Sequence, residues 1–202
     1  MESSLRAGIA LYTAGDTHAA HEPWEAVWLE LPDGDDEKLF HGLIQFAGAV
    51  YHAETRNWSG AVGLAVRAQR YLVPLGTPYR GIDTDAVATA LERLAIDPER
   101  IEREPRPPLR YDGRRHTAAD GDLPAITTAA RVLAEHDDFD TEIVGSAIEY
   151  ARAERETAQS TWIGLLATFV DEREHRPVVY DRLRRRVERR HQREQDVSGL
   201  FD

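Results

Sequence analysis

At 202 residues, with 36 acidic against 25 basic side chains and a net charge of −11, the chain has length for one large domain or two small ones, and its charge argues against general affinity for nucleic acid or anionic membranes. The absence of cysteine excludes disulfides, thiolate metal ligands and cysteine nucleophiles. Lys38 is the only lysine, so the remaining bases are arginine, and this acidic, lysine-poor balance predicts a halophilic surface that stays hydrated in concentrated salt. No uncharged apolar run approaches the roughly 20 residues of a spanning helix, and the N-terminus has no basic-then-apolar signal pattern. A soluble, cytoplasmic protein without membrane contact is therefore expected.

Helical periodicity runs through nearly the whole chain. Leu5, Ile9 and Tyr12 mark a first helix that Gly15-Asp16 ends, and Ala20, Trp24, Val27, Trp28 and Leu31 mark a second, closed by Pro32-Asp33-Gly34-Asp35. Pro23 kinks this second helix or marks its start, because proline cannot donate to the Ala19 carbonyl. The third helix, with Asp35 or Asp36 as N-cap, includes residues 39–53, which hold no Asp, Glu, Lys or Arg in a chain that is 30% charged. It reads as a central helix buried on every side. Arg56-Asn57 closes it, and Asn57 or Ser59 caps a fourth helix carrying Leu64, Ala68, Tyr71, Leu72 and Leu75. Residues 83–96 hold a fifth helix, with Val87, Leu91 and Leu94.

Residues 97–122, with Pro98, Pro105, Pro107, Pro108, Gly113 and Gly121, form a long irregular Pro/Arg-rich connection. Beyond it, Ile126, Ala130 and Leu133 suggest one helix, and Asp140 or Thr141 starts another through Ile143, Ala147 and Tyr150. A second charge-free run spans 157–170, and Pro177 sits near the first turn of a last helix. The fold expected is all-α. An N-terminal array of antiparallel helix hairpins (1–96) is followed by the connection (97–122) and a C-terminal helical unit (123–202), free to pack on the first as one domain.

The charge-free helix must find partners for its own polar groups. On a helical wheel His41, Gln45, Gly48 and His52 share one arc, while His18, His21, Glu22 and Glu25 share a flank of the second helix. His21 lies nearest the core edge, Glu25 follows one turn on, and Glu22 points furthest away. The expectation is a buried polar cluster in which the His41/Gln45/Gly48/His52 strip faces His21 and Glu25. Unpaired buried polar groups cost about 1–3 kcal/mol each.

Tyr12-Thr-Ala-Gly15-Asp, His21-Glu22-Pro-Trp24-Glu25-Ala-Val-Trp28, and then Gly42-Leu-Ile-Gln45, Ala49, Tyr51, His52, Asn57 and Gly60-Ala61 together resemble the motifs of the domain-of-unknown-function 309 family over roughly residues 5–75. The sequence departs from that pattern at Arg56, where glycine is usual, and at Pro23, which replaces an aliphatic residue. The resemblance implies a small multihelical array and brings no assigned activity.

Two functional readings follow. In the first, His21, Glu22, Glu25, His41, Gln45, His52 and Asn57 form a structural network in a non-catalytic module that associates with another protein or with itself, with no metal or cofactor. In the alternative, His21, Glu25 and His52 hold a divalent transition metal that activates water for hydrolysis, with Glu22 as base. His-Glu-x-x-Glu matches neither the zinc nor the di-iron helical pattern. Arg182–Arg193, with seven arginines against Glu188, is the one candidate nucleic-acid patch. The preferred reading there is that Leu183 and Val187 pack inward while the arginines pair with the protein's own acids, because no aromatic platform is interleaved. Asp137-Asp138-Phe139-Asp140 lacks the glycine and spacing of a calcium loop and reads as a loop and helix cap.

Overall fold

Local signals place the helix ends. In the computed structural model, which describes residues 1–154 and 160–198, α1 spans Glu2–Ala14 and stops at Gly15, whose φ of 104° is the left-handed conformation that glycine adopts without a Cβ penalty. α2 (His21–Trp28) begins just ahead of Pro23. The proline therefore sits in the first turn, where its missing N–H has no intrahelical partner to lose, and the helix starts there rather than kinking. The Ala19 carbonyl is not left free, since it accepts the Glu22 N–H at 3.2 Å.

α3 runs Asp35–Glu54, and its N-cap is Gly34 rather than Asp35 or Asp36. Both aspartates instead occupy the first helical turn, where negative charge complements the helix dipole. Asp36 also accepts a bidentate pair of hydrogen bonds from Arg80, at 2.8 and 2.6 Å, and one from the Tyr79 hydroxyl at 2.9 Å. Its carboxyl is lowered mainly by Arg80. Arg56 follows α3 with φ 61°, the Asn57 N–H returns to the His52 carbonyl at 2.7 Å, and the Arg56 N–H returns to that of Ala53 at 3.0 Å. That is a Schellman ending with a left-handed residue after the helix, and it explains physically why glycine suits this position. Asn57 then caps α4 (Trp58–Leu72), accepting from the Gly60 N–H at 3.1 Å.

α5 (Thr84–Ile96) is capped by Asp83. The connection after it is more structured than expected. It holds short 3-10 turns at Pro98–Glu102 and Ala118–Asp120 and a hairpin of β1 (Arg110–Tyr111) with β2 (Arg114–Arg115). Asp112 (φ 47°) and Gly113 (φ 73°) supply the two positive φ values that a tight two-residue hairpin turn requires. α6 (Leu123–His136), α7 (Thr141–Ala153), α8 (Thr161–Asp171) and α9 (Arg176–Ser198) complete the described chain, and Asp140 caps α7. The opening residues 157–159 of the second charge-free run lie outside the described residues.

The described helices make this an all-α protein. α3 packs between α2 and α4, α4 on α5, and α1 against α2, α6 and α8, so α1 touches both halves of the chain. Trp24 is fully buried and donates its indole N–H to the Leu5 carbonyl at 3.1 Å. A Cβ on Gly8 would stand 2.3 Å from that ring, so glycine sets the close approach of α1 and α2. No residue of 39–53 is fully exposed, but His41, Ile44, Gln45, Gly48, Tyr51 and His52 are only half-buried, so α3 is not buried on every side as expected. Among the described residues, no helix is long and apolar enough to cross a membrane.

Arg56→Gly should relieve the left-handed strain, which costs about 1–2 kcal/mol for a residue with a Cβ, against an exposed Arg56–Glu102 ion pair of little worth. Chemical denaturation should show a gain of up to about 1 kcal/mol. A loss of stability would contradict this account of the α3 ending.

A polar cleft at the corner of α1 and α2

The turn between α1 and α2 carries three consecutive polar residues, two of them buried: Asp16, Thr17 and His18. Because α2 cannot start before His21, these side chains are free to point away from a helical wheel. They line a cleft of about 480 Å³ together with Tyr51 and Glu54 of α3, Arg106 of the connection, His136 and Asp137 at the end of α6, and Arg173.

Asp16 points inward and meets Arg176, the first residue of α9; their side chains are 4% and 3% exposed. Arg176 satisfies all five of its N–H groups. Nε donates to the Phe169 carbonyl at 3.0 Å, and one terminal nitrogen to Asp16 at 3.2 Å and Asp137 at 2.7 Å. The other donates to Asp16 and, at 3.2 Å, to the Val170 carbonyl. Burial would lower this guanidinium's pKa, but the hydrogen bonds and charges of Asp16 and Asp137 outweigh it and raise it. Arg173 adds an ion pair to Asp16 at 3.2 Å and a hydrogen bond to the Gly15 carbonyl at 2.6 Å.

Asp137 carries the network outward. Its second oxygen lies 2.9 Å from His136 Nδ1, and His136 Nε2 lies 3.3 Å from His18 Nδ1. Burial would raise the Asp137 carboxyl, but the bonds from His136 and Arg176 prevail and lower it. With the His136 proton on Nδ1 facing the carboxylate, Nε2 is the acceptor and His18 Nδ1–H the donor. His18 also packs its ring 4.8 Å from that of Tyr51 and 4.9 Å from that of His21. Its pKa is lowered, first by burial of the ring and then by positive charge on His21, His136 and His52. The chain Asp16–Arg176–Asp137–His136–His18 thus joins a buried ion pair to a histidine at the surface.

On the opposite wall the Thr17 hydroxyl donates to Glu54 at 2.7 Å, and Arg106 Nε donates to the other Glu54 oxygen at 2.6 Å. Tyr12, beneath them, donates its hydroxyl to the Pro107 carbonyl at 2.6 Å and is raised in pKa by burial.

The residues singled out from the sequence do not come together. His41 stacks on Tyr71 of α4 with ring centroids 4.0 Å apart, meets Trp28 of α2 at 4.5 Å, and places Nδ1 3.3 Å from Glu37. Gln45 accepts from Arg67 Nε at 3.3 Å, and a Cβ on Gly48 would meet Leu64, so the middle of the strip turns to α4 rather than to α2. His52 Nδ1 accepts from the Asn57 side-chain amide at 2.9 Å at the α3–α4 junction. His21 turns Nδ1 to the His18 carbonyl and holds Nε2 3.9 Å from Glu25, which is exposed, while Glu22 is half-buried. Among the described residues no three His, Asp or Glu side chains are placed to hold one metal ion.

Residues 5–64 match the family model described as Domain of unknown function (DUF309). The match covers this segment alone, less than a third of the chain. It contains the α1–α2 corner, all of α3 and the start of α4, and so supplies Asp16, Thr17, His18 and Glu54 to the cleft. His136, Asp137, Arg173 and Arg176 come from outside it. A comparison with curated proteins finds no match to the chain. Within the DUF309 segment, Gly15-Asp16 carries a second role besides ending α1, and only the fold shows it. Arg176 and Asp137 had no distinguishing signal, since one opens an arginine-rich helix and the other sits in an acidic loop.

The lowered pKa of His18 gives a signed pH dependence. Folded His18 takes a proton less readily than an unfolded histidine, so the unfolded chain binds more protons as pH falls below about 6.5. Stability from this group is full above that pH and declines beneath it. Buried His116, lowered mainly by burial, acts in the same direction. Melting curves from pH 7.5 to 5.0 should show a falling melting temperature, with a shallower slope in His18→Gln. An equal slope in the variant would contradict the pH dependence assigned to His18.

Proposed function

We propose that this protein is a non-catalytic helical module whose DUF309 polar residues hold helices in register and whose outward role is association with another protein chain. The observation that carries the reading is where these side chains are spent. His41 lies between Trp28 and Tyr71, Gln45 on Arg67, His52 on Asn57, and Trp24 on the Leu5 carbonyl. Each joins one helix to the next, and satisfied polar contacts of this kind select one packing over its competitors.

Support for association comes from Leu29 and Val73, exposed at 68% and 61% just after α2 and α4. Both follow helix ends whose Trp28 and Tyr71 pack on His41, so they flank one corner of the fold. Apolar side chains left in water next to this junction suit a protein contact. The acidic, lysine-poor composition suits a cytoplasm rich in salt.

Elemental analysis of untagged protein should find no stoichiometric transition metal, and zinc or manganese should not raise the melting temperature. Near-stoichiometric metal lost in His21→Ala or His52→Ala would overturn the reading in favour of a metal-dependent hydrolase. For association, light scattering across a concentration series should show assembly above the 22.8 kDa of one chain. Leu29→Ser with Val73→Ser should reverse that assembly without changing the fold. A chain monomeric at every concentration would contradict self-association.

A further inference from the structure

The arginine helix α9 behaves differently along its length. Leu183 and Val187 are buried, as the sequence pattern predicts, and the early arginines are neutralised locally: Arg184 pairs with Asp181 and Glu188, and Arg185 with Asp181. One turn further on this neutralisation fails. Arg186, Arg189, Arg190 and Arg193 line a cleft of about 110 Å³ with Trp162 of α8 and Glu154 at the end of α7. Arg190 is bound by Glu194 at 2.8 Å, with Glu154 at 3.9 Å. Arg186, Arg189 and Arg193 have no carboxylate partner among the described residues.

Arg186 is held in place without being satisfied. Its guanidinium lies 4.8 Å from the Trp162 ring centroid, and its Nε is buried with no hydrogen-bond acceptor among the described residues. A buried guanidinium N–H normally finds an acceptor, and a cluster of like charges around it adds repulsion. An oxyanion in the cleft would offset the repulsion among the guanidinium groups that line it.

We infer that this cleft is a binding site for a phosphate group, with Arg186, Arg189 and Arg193 donating to its oxygens. Guanidinium groups match the fork geometry of phosphate, and Arg186 is already oriented by its stacking on Trp162. The cavity, at about 110 Å³, is several times the roughly 10–15 Å³ that one water needs. The surroundings favour an isolated phosphate, free or as a monoester, over a nucleic-acid strand. Trp162 is covered by Arg186 and stacked on Tyr150, and Tyr150 is covered by Arg190, which leaves no open aromatic face for a base.

The test is a titration of the full chain with inorganic phosphate, followed by NMR of arginine Nε–H and tryptophan indole N–H signals at constant ionic strength. Saturable shifts of Arg186 and Trp162 are expected, and a phosphomonoester probe should compete. Arg193→Gln and Arg189→Gln, both surface changes, should weaken binding at least tenfold together. Arg186→Lys should weaken it several-fold by removing the fork while keeping the charge. Arg182→Gln, outside the cleft, should leave it unchanged. Shifts that never saturate, or equal weakening by Arg182→Gln, would show general ion attraction and overturn the proposal. Binding confined to single-stranded nucleic acid, with none to phosphate, would overturn it as well.

Discussion

The fold turns on one buried guanidinium. Arg176 sits where four pieces of chain meet: the α1–α2 corner through Asp16, the end of α6 through Asp137, and the last carbonyls of α8 through Phe169 and Val170, with α9 starting at Arg176 itself. A charge taken this far from water is tolerated only with near-complete hydrogen bonding, and here every donor has an acceptor. The positive charge also lies at the C-terminal end of α8, where it complements the helix dipole. Removing one partner of such a pair costs about 3–5 kcal/mol, because it strands the other charge. The contact also organises the cleft, since the Asp137 that holds Arg176 orients His136, and His136 meets His18 at the surface.

This arrangement makes the DUF309 segment and the later helices physically dependent on one another. The segment matched to the family brings Asp16, Thr17, His18 and Glu54 to the cleft, but the groups that neutralise and orient them arrive from residues 106–176. Proximity to α1 does the assembling. Gly8 lets α2 approach closely enough for Trp24 to reach the Leu5 carbonyl, and the far side of α1 receives α6 and α8.

Much of the helical architecture was legible in the sequence, because breakers and periodicity act over a few residues. Gly15 as a helix stop, Asn57 and Asp140 as caps, Pro177 in a first turn, and a helix at 39–53 with no exposed side chain are all local consequences of composition. The hairpin at 110–115 was missed although Asp112-Gly113 is a strong turn signal, because its charged flanks show no alternation of apolar and polar residues. The site was legible only in part. His41, Gln45 and His52 were recognised as needing partners, yet a wheel gives the direction of a side chain and not the identity of the helix it faces. Pro23 also starts α2 later than periodicity suggests, which frees His18 from the helix flank and lets it turn to His136. Contacts between residues 118 or 160 positions apart leave no trace in spacing.

Native-state hydrogen exchange of Arg176→Met, compared with the unaltered protein, tests the central claim most directly. If Arg176 joins the DUF309 helices to the later ones, α1 and α3 should lose protection together with α6, α8 and α9, by several kcal/mol in each. Loss confined to α9, with α1 and α3 protected as before, would contradict it.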